Sequence, residues 1–188
     1  MSYKLTYFAG RGRAENARLL FAVAGVQYED IRVESAWSED WAQVKGSTPF
    51  GVLPFLTLSD GTSISMSAAI ANYLAREFNL YGKDNKENTQ VDTITNALTD
   101  IMDLFYKYLL AKEDAKAETL KNVLDKVEIY GDAMEASLKQ NNGGNGYLVG
   151  KGLTLADIAF FTTFADNVKA VEPNVLDKYP LLMPCWSV

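Results

Sequence analysis

The sequence predicts a small α/β domain followed by an all-helical domain. Strand-like and helix-like patterns alternate through the first part of the chain. A polar stretch with little periodicity then spans residues 79–88, and only helical periodicity follows it. A chain of 188 residues is long enough for two such domains with their own cores. We therefore place the domains at residues 1–80 and 81–188.

The elements of the first domain follow from alternation, capping residues and turn signals. The predicted strands and helices, in chain order, are strand 3–8, helix 12–24, strand 27–33, helix 38–45, strands 55–58 and 62–65, and helix 67–78. Gly25 is expected to end the first helix in a left-handed conformation. Ser38 and Ser67 are the expected N-caps, and Asp60-Gly61 marks a hairpin.

The second domain shows two long amphipathic patterns and one apolar helix. The amphipathic patterns run over residues 91–108 and 120–138, and a loop is expected at 141–146. Thr154 and Asp157 have the spacing of a capping box, and the helix that they begin is predicted to run to about Val171. Its first turns are almost wholly apolar, so we expect it at the centre of the helical domain.

Composition excludes several classes of function. The net charge of −6 argues against nucleic acid and anionic membrane partners, which need clustered Lys and Arg. The absence of histidine excludes Ser-His-Asp and Cys-His catalysis and histidine metal sites. A single cysteine, Cys185, excludes an internal disulfide; its own role stays open. With no secretory signal pattern and no apolar run as long as a membrane span, a cytoplasmic protein is expected.

The first fifteen residues carry the strongest chemical signal. A strand containing Tyr7 runs through a glycine-rich turn into a helix, so the first N–H groups of that helix face the end of the strand. Such a corner suits binding an anion or forming one. Arg13 at the helix start opposes the helix dipole unless it has an anionic partner. Alternatively, the Tyr7 hydroxyl finds a backbone partner, and Arg11 and Arg13 are surface charges.

Three further places suit a carboxylate or a backbone-binding ligand. Ser67 stands at a second helix start, where it either binds an anion or acts only as a cap. Trp41 and Lys45 share one helical face and either hold a carboxylate or are a half-buried ring beside a solvated charge, with Trp37 a competing candidate. Leu53–Pro54 precedes a strand, where a cis bond is possible.

Taken together, these motifs resemble one family over essentially the whole chain. The most specific segments are 3–8 (YKLTYF), 12–15 (GRAE), 48–51 (TPFG), 53–54 (LP), 68–75 (AAIANYLA) and 152–157 (GLTLAD). The chain resembles a glutathione S-transferase of the sigma class, the group that includes glutathione-dependent prostaglandin D synthases and S-crystallins. The resemblance implies a thioredoxin-like N-terminal domain that binds glutathione and an all-α C-terminal domain that contributes the electrophile site.

The resemblance also implies a role for each matching residue. Tyr7 would donate a hydrogen bond to the glutathione sulfur, and Arg13 would supply part of the positive field, so these two are the catalytic residues. Asp100 would reach across a dimer interface toward the γ-glutamyl amine of the other subunit's ligand. The remaining glutathione-binding positions are Phe8, Trp41 and Lys45 (glycyl carboxylate), Val52 and a cis Leu53–Pro54 bond (cysteinyl backbone), Met66, and Ser67 (γ-glutamyl carboxylate).

Three features depart from the family pattern. Met66 stands where the family has Gln or Glu, which predicts glutathione binding weaker by roughly two- to a hundredfold. The sequence ends at Val188, whereas the family continues through another helix, so the helical domain is expected to be truncated. Of the acidic cluster that accompanies metal effects in prostaglandin synthases only Asp100 is present, because Asn96 and Thr99 stand at the other positions. No metal is predicted.

The expected function is therefore that of a cytoplasmic, homodimeric glutathione transferase. It would activate the glutathione thiol and conjugate it to small hydrophobic electrophiles, in detoxification. A glutathione-dependent prostaglandin isomerase would use the same site. A weakly active or inactive binding protein, similar to a crystallin, is the alternative from another class, and Met66 and the short C-terminus favour it.

Overall fold

The computed structural model describes residues 3–34, 39–46 and 48–183. The chain divides into two compact units, Met1–Leu80 and Tyr81–Val188. Trp37, the predicted cap Ser38 and Cys185 lie outside the described residues.

The first unit is built on a four-stranded sheet in the order β2-β1-β3-β4. Its strands are β1 (Tyr3–Phe8), β2 (Tyr28–Val33), β3 (Phe55–Thr57) and β4 (Ser63–Ser65). Its helices are α1 (Glu15–Ala24), α2 (Glu39–Lys45) and α3 (Ser67–Glu77), with a 3-10 turn at Gly12–Ala14 before α1. β1 runs parallel to β2 and antiparallel to β3, and β3 is antiparallel to β4. This confirms the predicted thioredoxin-like α/β fold.

The core of the first unit lies between the sheet and helices α1 and α3. Its side chains are fully buried, and they come from both layers: Leu5, Leu20, Phe21, Leu56, Ile70 and Leu74. The apolar spacing along α1 turns one stripe toward the sheet. Gly25 ends α1 in the left-handed region at φ 65°, as predicted.

The second unit is all-helical, which confirms the second half of the predicted fold class. Its principal helices are α4 (Asn85–Leu110), α5 (Lys116–Gln140) and α6 (Leu155–Thr163). A π-helical segment (Phe164–Val168) and a short helix α7 (Lys169–Val171) continue α6, and two 3-10 turns span Glu113–Ala115 and Asn142–Gly144. α4 packs against both α5 and α6. α6 is buried along nearly its whole length.

The predicted capping box at the start of α6 is confirmed. The Thr154 hydroxyl accepts from the Ala156 N–H at 3.2 Å, and the Asp157 carboxylate accepts from the Thr154 N–H at 2.8 Å. Asp157 also accepts from the Thr154 hydroxyl at 3.0 Å and from the Leu148 N–H at 2.7 Å. Burial raises the pKa of Asp157 and outweighs these hydrogen bonds, which act in the opposite direction.

One predicted element boundary is wrong, and one predicted helix ends where expected but is not α-helical throughout. The polar stretch at residues 79–88 was expected to be a linker, but α4 begins at Asn85 because Asp84 caps it, accepting from the Glu87 N–H at 2.9 Å. The last helix was predicted to run to about Val171, and the helical segment does end there. It widens into a π-helix at Phe164, where the Asn167 side chain donates to the Thr162 carbonyl at 2.6 Å and competes with the α-helical ladder.

Candidate functional site

Three predicted site residues lie at one end of the sheet, in β1 or directly next to β3 and β4. The last pairs in the register join Thr6 to Phe55 and Phe55 to Ser65. The next position beyond these pairs is Tyr7 in β1, Pro54 before β3 and Met66 after β4. The sheet therefore brings together residues that are as many as 59 positions apart (66 − 7).

Tyr7 meets the turn before α1 through its hydroxyl. The Arg13 backbone N–H donates to the Tyr7 oxygen at 3.1 Å. Among the described residues, none accepts the Tyr7 hydroxyl proton, so that proton is available to a further acceptor. Gly12 has φ 45°, and a Cβ built on it would lie 2.7 Å from the Tyr7 oxygen. Only glycine fits both this backbone conformation and this contact.

A row of aromatic rings connects Tyr7 to α2. The Tyr7 and Phe8 ring centroids are 5.4 Å apart, and Phe8 meets the Trp41 ring edge-on at 5.6 Å. Trp41 is half-buried and Lys45, one turn later, is exposed. The stem of Lys45 lies beside the following loop, 4.0 Å from the position that a Cβ on Gly51 would take. The ammonium of Lys45 is thus carried on the loop side of α2, near the entry to β3.

The segment before β3 has the backbone that the resemblance implied. The Leu53–Pro54 peptide bond is cis. Pro54 is buried, Leu53 is half-buried, and Val52 is 41% exposed. The backbone of Val52 and Leu53 lies just before a strand and carries polar groups that an extended ligand can use.

Ser67 is not the N-cap of α3, which corrects the prediction. Met66 occupies the cap position, and its carbonyl accepts from the Ile70 N–H at 3.0 Å. β4 ends at Ser65, so a single residue has to turn the chain from strand to helix. Met66 does so at φ 72° and ψ 118°, a sparsely populated region that costs a non-glycine residue about 1–3 kcal/mol. Its side chain is 55% exposed, and Ser67 becomes the first helical residue.

Asp100 lies on α4 in the second unit, with an exposed side chain. Its carboxylate accepts a hydrogen bond from the Tyr130 hydroxyl at 2.8 Å. This partner was not predicted from the sequence, because Tyr130 was counted only as part of the amphipathic pattern of α5.

Arg18, which was not predicted as a site residue, lies buried within α1 with an exposed fraction of 8%. Its guanidinium carbon lies 5.9 Å from the Tyr7 ring centroid. A signal was present in the sequence: Arg18 is four residues after Ala14 and three before Phe21, so it falls on the buried stripe of α1. An arginine on that stripe predicts a buried charge with specific partners.

The described residues contain neither a metal-binding cluster nor a membrane-spanning helix. Within residues 3–34, 39–46 and 48–183, no group of three or more Cys, Asp or Glu side chains could hold a metal ion. No helix in that part of the chain has the length and hydrophobicity needed to cross a membrane.

The chain belongs to the glutathione S-transferase family. The family model of the N-terminal domain matches residues 3–76, and that of the C-terminal domain matches residues 98–187. The two matches together span most of both units, so the predicted family is confirmed.

Individual members of the family are similar to nearly the whole of this chain. S-crystallin SL11 of Nototodarus sloanii is 38% identical, covering 96% of this chain and 87% of the relative. Hematopoietic prostaglandin D synthase of Homo sapiens is 35% identical, covering 97% and 87%. The crystal structure of monomeric Na-GST-3, a glutathione S-transferase of Necator americanus, is 33% identical with a TM-score of 0.89, covering 100% of this chain and 90% of that one. Both groups named for the sigma class are thus among the relatives.

Proposed function

We propose that the chain is a glutathione transferase in which Tyr7 activates the glutathione thiol. One observation carries the proposal: the Tyr7 oxygen already accepts the Arg13 N–H at 3.1 Å, so its proton is left for a ligand. A donor that accepts a hydrogen bond is polarised and donates more strongly. The hydroxyl therefore suits a sulfur that carries or develops negative charge.

The chemistry that Tyr7 supplies is the stabilisation of a thiolate. A free thiol has a pKa of about 8.5 and is mostly protonated at neutral pH. A hydrogen bond to the charged form and a positive field both lower that pKa. The N-terminal N–H groups of the turn before α1 add to this field, and Arg13 is assigned to it as well. The thiolate then attacks a small hydrophobic electrophile, and the new bond forms between sulfur and the electrophilic atom.

The rest of glutathione is assigned to the end of the sheet and to α2. Trp41 and Lys45 bind the glycyl carboxylate, since they lie one turn apart on α2 and the stem of Lys45 lies beside the loop before β3. The backbone of Val52 and Leu53 before the cis peptide pairs with the cysteinyl part, with Phe8 alongside. Ser67 and the first amides of α3 bind the γ-glutamyl carboxylate, because a helix N-terminus favours an anion. Met66 lies at the same end of the sheet, and its thioether side chain has no hydrogen-bond donor.

We further propose a cytoplasmic homodimer that acts in detoxification. Phe50, on the loop before β3, is 73% exposed. Such exposure is unusual for a large apolar side chain and is consistent with a surface that a second subunit covers. Asp100 is assigned to the γ-glutamyl amine of the partner subunit's ligand. The Necator americanus relative is described as monomeric, so assembly has to be measured for this chain. If the chain is a homodimer, its mass measured in solution should be about twice the chain mass of 20.8 kDa. A monomeric mass would contradict the assignment of Asp100.

The substitution Tyr7→Phe tests the proposed function. It removes the hydroxyl alone, so glutathione affinity should stay within about twofold while kcat falls by about ten- to a hundredfold, the loss of a charge-assisted hydrogen bond. Tyr28→Phe is the matched control, because it removes a hydroxyl from the neighbouring strand β2 and leaves the turn intact. Unchanged turnover in Tyr7→Phe would mean that Tyr7 is not the activating residue.

A second candidate function is a binding protein with little turnover, similar to a crystallin. Met66 favours it, because an exposed thioether replaces a side chain that can hydrogen-bond. The two functions differ in one measurement: a binding protein retains glutathione without forming conjugate from a reactive aryl halide, whereas the transferase forms it. A prostaglandin isomerase is separated from both by its product with a prostaglandin endoperoxide.

A further inference from the structure

Arg18 connects three parts of the first unit through one buried guanidinium. Its Nε donates to an Asp30 carboxylate oxygen on β2 at 3.2 Å. Its Nη1 donates to the Glu15 carboxylate at 3.1 Å, at the start of α1. The same nitrogen donates to the carbonyls of Gly10 at 3.0 Å and Arg11 at 3.1 Å, in the turn between β1 and α1. Side chains of this type are seldom buried without such partners.

The turn that Arg18 holds is the one that contacts the Tyr7 hydroxyl. The two carbonyls bound by Arg18 belong to residues 10 and 11, and they directly precede Gly12 and Arg13. Arg13 supplies the N–H on the Tyr7 oxygen, and Gly12 packs against that oxygen. A shift of these two carbonyls therefore moves the N–H that polarises the Tyr7 hydroxyl.

The charge of Arg18 is balanced locally, so its position matters more than its field. Asp30 and Glu15 both contact the guanidinium, and the Arg32 guanidinium also contacts Asp30 at 2.6 Å. In the described part of the chain Arg18 Nη2 is buried with no acceptor. A buried donor without a partner is unfavourable for folding. The hydrogen bonds of Nε and Nη1 thus hold the guanidinium in an orientation that leaves Nη2 without an acceptor among the described residues.

We propose that Arg18 is a positioning residue for thiol activation, an inference that rests on the proposed transferase function. By holding the Gly10 and Arg11 carbonyls, Arg18 keeps the Arg13 N–H on the Tyr7 oxygen and so keeps the Tyr7 proton directed to the ligand. Arg18 itself does not touch glutathione. Its effect is carried by the geometry of the turn.

Arg18→Lys tests the proposal, with Arg32→Lys as the matched control. Both variants keep a positive charge near Asp30, but only the first loses the planar group that reaches two turn carbonyls. The first readout needs no ligand: the exchange rate of the Arg13 amide proton, measured by NMR on the free protein, should rise at least about tenfold in Arg18→Lys and stay unchanged in Arg32→Lys.

The second readout is the thiolate absorbance of bound glutathione as a function of pH. Arg18→Lys should lower the thiolate fraction at about pH 6.5 by about tenfold, with glutathione affinity changed less than about threefold, and the difference should vanish near about pH 9. A variant that folds and shows the wild-type Arg13 exchange rate and the wild-type thiol pKa overturns the proposal. Equal effects in Arg18→Lys and Arg32→Lys also overturn it.

Two further comparisons cover the case in which Arg18→Lys does not fold and the case in which the wild-type protein does not activate the thiol. If Arg18→Lys does not fold, Asp30→Asn and Glu15→Gln take its place, since each weakens one anchor of the guanidinium. Faster Arg13 exchange in both supports the proposal, and wild-type exchange in both overturns it. If wild-type protein binds glutathione with an unshifted thiol pKa, the transferase function fails, whereas the exchange measurement still decides whether Arg18 holds the turn.

Discussion

Gly12→Ala changes the contact on which thiol activation depends. Gly12 has φ 45°, and the Cβ of an alanine would lie 2.7 Å from the Tyr7 oxygen and 3.0 Å from the ring carbon Cε1. These distances are shorter than van der Waals contact, so either the ring or the turn has to move by several tenths of an ångström. Either movement disturbs the hydrogen bond from the Arg13 N–H to the Tyr7 hydroxyl.

The magnitude of the effect has two separable parts. An alanine in the left-handed region costs about 1–2 kcal/mol of stability, whatever its surroundings. The displaced hydroxyl loses part of a charge-assisted hydrogen bond to the thiolate, worth about 1.5–3 kcal/mol. Since about 1.4 kcal/mol corresponds to a tenfold change in rate, kcat/KM should fall by roughly ten- to a hundredfold.

Gly25→Ala is the matched control for this substitution. Gly25 also has a left-handed φ, of 65°, but no atom lies within 4 Å of the position that a Cβ on it would take. Both variants should lose the stability that a left-handed alanine costs, and Gly12→Ala should lose more because its Cβ also clashes with Tyr7. Only Gly12→Ala should lose glutathione conjugation, measured by initial rates. Equal rates in the two variants, both folded, would refute the assignment of this corner to catalysis.

Three further predictions concern other sites. Met66→Gln should tighten glutathione binding by roughly two- to a hundredfold in calorimetry, because hydrogen-bonding groups return to the γ-glutamyl end; Met183→Gln, also exposed, is the control. Asp157→Asn should lower the free energy of unfolding by about 2–4 kcal/mol near neutral pH, since it leaves buried donors unsatisfied. Lys116→Met should cost about 0.5–1.5 kcal/mol, because the Lys116 ammonium donates to the last carbonyls of α4, that of Tyr108 at 2.8 Å among them.

The pH dependence of the Asp157 effect has a defined sign. The pKa of Asp157 is raised in the folded state, so the stability that depends on this group is fully present below its unfolded pKa, about 3.9, and falls as the pH rises through the raised value. The difference between wild type and Asp157→Asn should therefore be larger near about pH 4 than near about pH 7 in denaturant unfolding. A difference that grows with pH would contradict the raised pKa.

Much of the fold followed from local sequence patterns. Alternation in β1 and β2, the apolar stripes of α4 and α5, and the cap at Thr154 are short-range signals, and each element formed where its pattern predicted. The two departures from the predicted helices, the early start of α4 and the π-helical segment, depend on side-chain contacts. Asp84 began α4 earlier than expected, and the side chain of Asn167 widened the last helix into a π-helix.

The sequence predicted which residues form the candidate site better than it predicted how these residues are arranged. Tyr7, the cis Leu53–Pro54 bond and Met66 were identified from motifs, and strand register brings them to one end of the sheet. The role of Ser67 as a cap was wrong, because the one-residue connection from β4 gave that position to Met66. Arg18 was missed because its partners, two turn carbonyls and a carboxylate twelve residues away, become neighbours only after the chain folds.

Activation of the glutathione thiol is tested most directly by the ultraviolet difference spectrum of glutathione bound to the wild-type protein, titrated from about pH 5 to about pH 9. We expect thiolate absorbance to develop well below the free thiol pKa of about 8.5, and the apparent pKa of the bound thiol to return toward that value in Tyr7→Phe. Bound glutathione that titrates like the free thiol would contradict activation and would leave a glutathione-binding protein on a transferase fold.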